Sequence, residues 1–302
     1  MRKLSLPTLL LWLLAFTFTA CKKDAETPDY AAIDAGIIDK FLTDNNITTG
    51  QRQASGLVYI PVVSNPTGLK ATVGKIVRVR YTGTLLDGTI FDATSRRNDR
   101  PLNFTLGVDP VISGFAQGVS LMRKGEKSVL LIPSGLAYGT QGSTSGTIPP
   151  NTVIRFEVEL VDVLDNYGPI DEELITEYIA ADTSIHNAQR QPNGLYYVPK
   201  VVNPTGTPAT AGKRVFVNYK GTFINYPTLT AFDSSPAGKP FDFVLGQGNV
   251  IQGWDQGIAL MRKGEKSILL IPSALAYGKQ GAANVIPPNT VLRFEVELVD
   301  VQ

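Results

Sequence analysis

IPPNTVIRFEVELVDV occupies Ile148–Val163 and IPPNTVLRFEVELVDV occupies Ile286–Val301, so 15 of 16 positions recur. In the first copy Ile154, Phe156, Val158, Leu160 and Asp162 alternate with Arg155, Glu157, Glu159 and Val161, the period of a strand with one buried face. Repetition extends upstream. Ala116–Gly139 and Asp255–Gly278 share 19 of 24 positions, and Gln51-Arg52-Gln53 with Gly56-Leu57 returns as Gln189-Arg190-Gln191 with Gly194-Leu195. The period is 138 or 139 residues, far beyond the roughly 20–50 of solenoids and propellers. The chain is a duplicated globular domain. Its spacing drifts in three loops only: the second copy gains three residues between Tyr219 and Phe232, loses two before Pro240 and loses one before Ile286. Surface connections tolerate such changes.

The chain has 302 residues, which at about 150 per domain also suggests two domains. The units are expected at 30–164 and 170–302, with Asp165-Asn166-Tyr167-Gly168-Pro169 breaking regular structure between them. Each opens with a helical pattern. Ile33, Ile37, Phe41 and Leu42 fall on one face with Asp34 and Asp39 turned away, and the counterpart uses Leu174, Ile175, Tyr178 and Ile179. Leu57–Pro61, Ile76–Tyr81 and Ser128–Ile132 read as strands, and one short helix fits between Val111 and Met122. The fold class is α+β, each unit a mostly antiparallel sheet wrapped on a short helix.

Composition narrows the chemistry. The 28 Lys and Arg against 27 Asp and Glu give a net charge of +1, which argues against a nucleic-acid-binding surface across the chain. One Cys and one His cannot assemble a zinc site of Cys and His ligands or an internal disulfide. No metal or cofactor is expected. His186 aligns with Thr48 in the first unit, which makes it a surface residue without a shared role. Arg123-Lys124-Gly125-Glu126-Lys127 reads as a solvated turn.

Residues 1–20 carry a basic start, an apolar run from Leu4 through Phe18 and a small residue before a cut, the form of a secretory signal. Phe18-Thr19-Ala20-Cys21 resembles a bacterial lipobox, with Phe where Leu is usual, so Cys21 is expected to be lipidated and to anchor the chain to a membrane. Residues 21–29 form a polar tether, and Lys22–Thr27 resembles the lysine-acid signal that sends some bacterial lipoproteins to the cell surface. The location expected is the cell envelope.

Six elements recur in one order. The first unit has Tyr81-Thr82-Gly83, Phe91-Asp92, Pro101 to Gly107, Val111-Ile112 with Gly114-Phe115, Ala137-Tyr138-Gly139 and Ile148-Pro149-Pro150-Asn151. The second has Tyr219-Lys220-Gly221, Phe232-Asp233, Pro240 to Gly246, Val250-Ile251 with Gly253-Trp254, Ala276-Tyr277-Gly278 and Ile286-Pro287-Pro288-Asn289. In this order and spacing the chain closely resembles the FKBP-type peptidyl-prolyl isomerases, from Gly74 to Val163 and from Gly212 to Gln302. Its opening helices are too short for the dimerising stalk of some bacterial members.

The resemblance implies two tandem domains of that family, each with a half-open apolar pocket that takes a proline ring. In the second unit the pocket would be Tyr219, Phe232, Asp233, Phe241 and Phe243, with Val250, Ile251, Trp254, Tyr277, Ile286 and Phe294. In the first it would be Tyr81, Phe91, Asp92, Leu102 and Phe104, with Val111, Ile112, Phe115, Tyr138, Ile148 and Phe156. Phe115 replaces the indole floor and Leu102 an aromatic wall, so the first pocket should be less aromatic and less active. By the same analogy the Tyr277 hydroxyl and the Ile251 N–H would hold substrate carbonyls, while Asp233 and Asp92 would either act electrostatically or cap a turn. Strand aromatics such as Phe104, Phe243, Phe156 and Phe294 equally suit a core.

Rotation about an Xaa–Pro bond sacrifices amide resonance, a barrier of about 18–20 kcal/mol. The twisted amide is less polar than the planar one, so an apolar, water-poor pocket favours the transition state. No nucleophile, base or metal is needed. Two function classes stand at this point: an isomerase acting on exported proteins, and a module that binds proline-containing segments, with the first unit as the better candidate for binding or chaperone work. A third, a scaffold, uses the fold alone.

Overall fold

The computed structural model describes residues 28–224, 229–282 and 285–302. The signal segment 1–20, Cys21 and the tether up to residue 27 lie outside the described residues. The first unit contains α1 (Tyr30–Asp44), β1 (Gln51–Arg52), β2 (Val58–Val63), β3 (Ile76–Leu85), β4 (Ile90–Ala93), β5 (Leu102–Thr105), α2 (Ser113–Leu121), β6 (Lys127–Ile132) and β7 (Ile154–Leu164). The second repeats this with α3 (Gly168–Ala181), β8 (Gln189–Arg190), β9 (Tyr196–Val201), β10 (Arg214–Phe223), β11 (Ala231–Ser234), β12 (Phe241–Val244), α4 (Gln252–Ile258), β13 (Lys266–Ile271) and β14 (Leu292–Val301). Each sheet has seven strands. The first runs β1-β2-β6-β7-β3-β4 with β5 also on β3, and the second runs β11-β10-β14-β13-β9-β8 with β12 also on β10. The pairings are antiparallel, as alternation and short loops predict.

Both faces of each sheet are covered. On β6, Leu130 and Ile132 pack with α2 residues Phe115 and Val119, while Leu131 and Val129 pack with Ile38 of α1. That explains why β6 is an apolar run rather than a clean alternation. Helix α2 lies close to the sheet because Gly118 is bare: a Cβ there would stand 2.3 Å from Leu130 Cδ1. In α3, Ile175 and Tyr178 are buried as the periodicity predicts.

Four local expectations are corrected. In α1 the buried residues are Asp34 and Ile38, whereas Ile33 and Ile37 are 46% and 40% exposed. The helix is rotated so that Ile38, Phe41 and Leu42 meet the sheet, and Asp34 can be buried because Ser134 donates to it from both N–H and Oγ–H. On β7, a bulge pairs Val79 with Leu160 and Arg78 with Asp162, skipping Val161. Beyond it the faces exchange, so Val163 is buried and Asp162 pairs with Lys124 at 2.6 Å. In the Arg123–Lys127 turn, Glu126 is buried and accepts the backbone N–H of Asn65 at 3.0 Å and of Arg123 at 2.7 Å. Gly168 and Pro169 already belong to α3, where a first-turn Pro loses no hydrogen bond.

The rotation of α1 is directly testable. Ile38→Ala should cost about 2–4 kcal/mol in a denaturant unfolding experiment, and Ile37→Ala should stay within about 0.5 kcal/mol. Equal losses would contradict the observed docking.

Candidate functional site

In the first unit, strand pleat and helix placement bring the named side chains to one end of the sheet. Tyr81 comes from β3, Phe91 and Asp92 from β4, Leu102 and Phe104 from β5, and Phe156 from β7. Val111 and Ile112 precede α2, Phe115 lies in its first turn, and Tyr138 and Ile148 come from the connection to β7. All the apolar members fall in one cluster, with Phe91, Leu102, Val111, Ile112 and Tyr138 half-buried around a buried centre. Phe115 is the floor, its ring 4.9 Å from Phe156 and 5.6 Å from Tyr81. Phe91 meets Phe156 edge-on at 5.5 Å. Gly83 makes this possible, because a Cβ there would stand 2.7 Å from the rings of both.

The second unit rebuilds the cup with indole at the bottom. Trp254 lies 4.9 Å from Tyr219, 5.2 Å from Phe294, 6.0 Å from Phe243 and 6.1 Å from Phe241, centre to centre. Phe232 packs edge-on to Phe294 at 5.5 Å, over Gly221. Val250 and Ile251 are half-buried and Ile286 is buried in the same cluster. Phe241 and Tyr277 are 43% and 41% exposed. They form the rim. Phe241 therefore adds an exposed aromatic edge, whereas Leu102 is half-buried against the first cluster.

A tyrosine and a carboxylate are joined at each cup. The Tyr81 hydroxyl donates to Asp92 Oδ2 at 2.6 Å, and the Tyr219 hydroxyl donates to Asp233 Oδ2 at 2.8 Å. Each aspartate also accepts the N–H of the residue after it, at 2.8 Å, so the turn contact and the tyrosine contact coexist. Burial and the adjacent carboxylate push the Tyr219 hydroxyl up to about 12 and the Tyr81 hydroxyl further still. Both phenols are neutral donors at physiological pH. The units differ in charge: Arg97 pairs with Asp92 at 3.1 Å, and among the described residues no Lys or Arg pairs with Asp233. Sequence reasoning missed Arg97. Its signal was a basic pair, Arg96-Arg97, in a loop that is two residues shorter in the second copy.

His186 is exposed on the loop after α3. Among the described residues, no group of three or more His, Cys, Asp or Glu could hold a metal ion, and no helix is long and apolar enough to cross a membrane. What the geometry offers is shape and an apolar lining: an aromatic floor, an aliphatic wall and one carboxylate at the edge. Such a cup can strip water from a small apolar ring and hold the polar chain beside it at the rim.

The profile of a family described as FKBP-type peptidyl-prolyl cis-trans isomerase matches residues 68–161 and 206–299. Peptidyl-prolyl cis-trans isomerase FKBP9 of Mus musculus is 35% identical over 230 residues, covering 75% of this chain and 35% of that protein. FK506-binding protein 2 of Candida glabrata is 50% identical over 99 residues, 32% of this chain and 71% of that protein. Among solved structures, FkpA from Escherichia coli is 38% identical over 45% of this chain and 60% of that one, with a TM-score of 0.39. The chain spans about a third of the length of the mouse relative.

Proposed function

The chain belongs to the FKBP-type peptidyl-prolyl cis-trans isomerase family, and we propose that its cups bind proline-containing segments and accelerate rotation about the Xaa–Pro bond. The observation that carries this reading is the twice-built aromatic cup, in which Tyr, Phe and a buried floor ring converge beside one carboxylate that the tyrosine hydroxyl holds. The proline ring sits on Trp254 or Phe115, and the planar, polar amide enters a water-poor space that favours its twisted form. The Tyr277 hydroxyl and the Ile251 N–H hold substrate carbonyls at the rim. Ile251 caps α4, where backbone N–H groups have no partner within the helix. Asp233 fixes the Tyr219 ring and sets a negative field beside the twisting carbonyl.

The second cup is the stronger catalyst in this reading. Its floor is the larger ring, and no cation neutralises Asp233 among the described residues, whereas Arg97 lies on Asp92. The first cup is suited to holding proline segments with less turnover. With the full chain and a proline peptide, Trp254→Ala should lower kcat/KM by roughly 10- to 100-fold, equivalent to about 1.4–2.7 kcal/mol. Phe115→Ala should lower it less, with melting curves showing that both variants fold. A larger loss from Phe115→Ala would reverse the ranking.

The substrates in this reading are exported polypeptides in the cell envelope. Residues 1–20 direct export, and acylated Cys21 then holds the chain on a membrane, since more than one acyl chain anchors stably. A labelled fatty acid fed to producing cells should enter the wild-type protein and not Cys21→Ser. Equal labelling of both, or of neither, would contradict the anchor.

A further inference from the structure

We propose that the helix opening each unit positions the rim tyrosine of that unit's cup through a buried carboxylate–serine link, Asp34 to Ser134 for Tyr138 and Asp171 to Ser273 for Tyr277. The proposal rests on the isomerase reading and names positioning residues for it. Helices α1 and α3 pack on the sheet face opposite α2 and α4. The link is a route from that outer face to the cup.

Asp34 is 1% exposed, and its Oδ2 accepts the N–H and the Oγ–H of Ser134, both at 2.7 Å. Ser134 opens a single 3-10 turn, Ser134–Leu136, and its carbonyl accepts the N–H of Ala137 and of Gly139 at 2.9 Å. Those two residues flank Tyr138. The Gly139 carbonyl then accepts the N–H of Asn151 at 2.7 Å, tying the turn to the loop that carries Ile148. One serine thus has its donors fixed by the helix and its acceptor fixed by the backbone around the rim tyrosine. The second unit repeats these links except one, since among the described residues the Gly278 N–H makes no bond to the Ser273 carbonyl. Asp171, 1% exposed, accepts from Ser273 N–H at 2.8 Å and Oγ–H at 2.7 Å. The Ser273 carbonyl accepts Ala276 N–H at 3.1 Å, and the Gly278 carbonyl accepts Asn289 N–H at 2.8 Å.

Stability alone is poorly served by this arrangement. Oδ1 of Asp34 and Oδ1 of Asp171 are buried with no hydrogen-bond partner among the described residues, and unsatisfied buried acceptors are destabilising. Burial pushes the Asp171 carboxyl up to about 6 despite the two bonds from Ser273. The groups facing its groove are Tyr167, Glu172, Arg190 and Lys279, with Asp109 and Asp165 from the first unit, and Glu172 is paired with Arg190 at 2.9 Å. Because the folded-state value lies above the ordinary one, this carboxyl stabilises the fold most below the ordinary carboxylate range and less as pH rises through about 6. An apolar contact would hold helix to turn without that loss. What a carboxylate adds is direction: it fixes two donors of one residue and so orients the turn that follows.

The test uses the full chain and reads backbone hydrogen exchange, unfolding midpoint and KM and kcat on a proline peptide. Asp171→Ala should speed exchange at 274–278 by about tenfold or more, leave β13 and the first unit unchanged, and lower the unfolding midpoint only modestly, since the buried Ser273 donors lose their acceptor. KM should rise severalfold with a smaller change in kcat. Asp171→Asn, which retains one acceptor oxygen, should restore most of both readouts, and Asp34→Ala should move exchange at 135–139 instead. Unchanged exchange around Tyr277 in Asp171→Ala would overturn the link. So would an increase spread evenly over all of α3 and β9, which marks simple loss of packing. A wild type without isomerase activity would refute the functional reading alone, since the exchange pattern needs no turnover.

Discussion

The pairing of Gly83 with Phe156, and of Gly221 with Phe294, is the constraint on which each cup depends. Two aromatic rings lie where a Cβ would be at each glycine, so the central antiparallel ladder is covered by aromatic faces rather than by a crowded row of branched side chains. Tyr81 or Tyr219, two residues earlier on the same strand face, then stands beside the floor ring, with its hydroxyl directed to the aspartate on the next strand. The wall aromatics and the carboxylate are placed by the strands of that sheet, and the floor ring packs against them from α2 or α4. Any side chain at the glycine would displace Phe91 and Phe156 together, or Phe232 and Phe294 together.

Duplication makes the chain its own comparison. The fold and the glycine–aromatic contact are the same in both units, while the floor ring, the rim and the charge beside the aspartate differ. Trp254 and the exposed Phe241 enlarge the aromatic surface of the second cup, and Arg97 neutralises the carboxylate of the first. The buried carboxylate on the opening helix is retained in both, with nearly the same hydrogen-bond lengths.

Much of this was legible in the sequence because the deciding signals were local or repeated. The alternation of Ile154–Leu160 is strand pleat, the Val111–Met122 interval holds α2, and the apolar residues named in the first unit meet in one cluster, as do those of the second apart from the exposed Phe241 and Tyr277. What was not legible depended on partners far along the chain. Helix α1 carries Ile33, Ile37, Ile38, Phe41 and Leu42, so more than one face looks apolar, and the face that docks meets partners far along the chain, Leu131 against Ile38 and Ser134, 100 residues away, on Asp34. The bulge opposite Val161 is a slip in inter-strand pairing, invisible in either strand alone. Glu126 looks like part of a solvated charge run until the N–H of Asn65 is brought to it. Arg97 was visible as a basic loop residue, but its partner Asp92 was not.

In the proposed mechanism desolvation and shape, without proton transfer, lower the barrier to amide rotation in these cups. The most direct measurement is the rate of cis–trans exchange of a proline peptide, followed by NMR with catalytic amounts of the full chain in H2O and in D2O. The account predicts acceleration with kcat/KM nearly equal in the two solvents. A rate in H2O more than about twice that in D2O would assign the chemistry to a proton in flight and contradict it, as would a rate no faster than that of the free peptide.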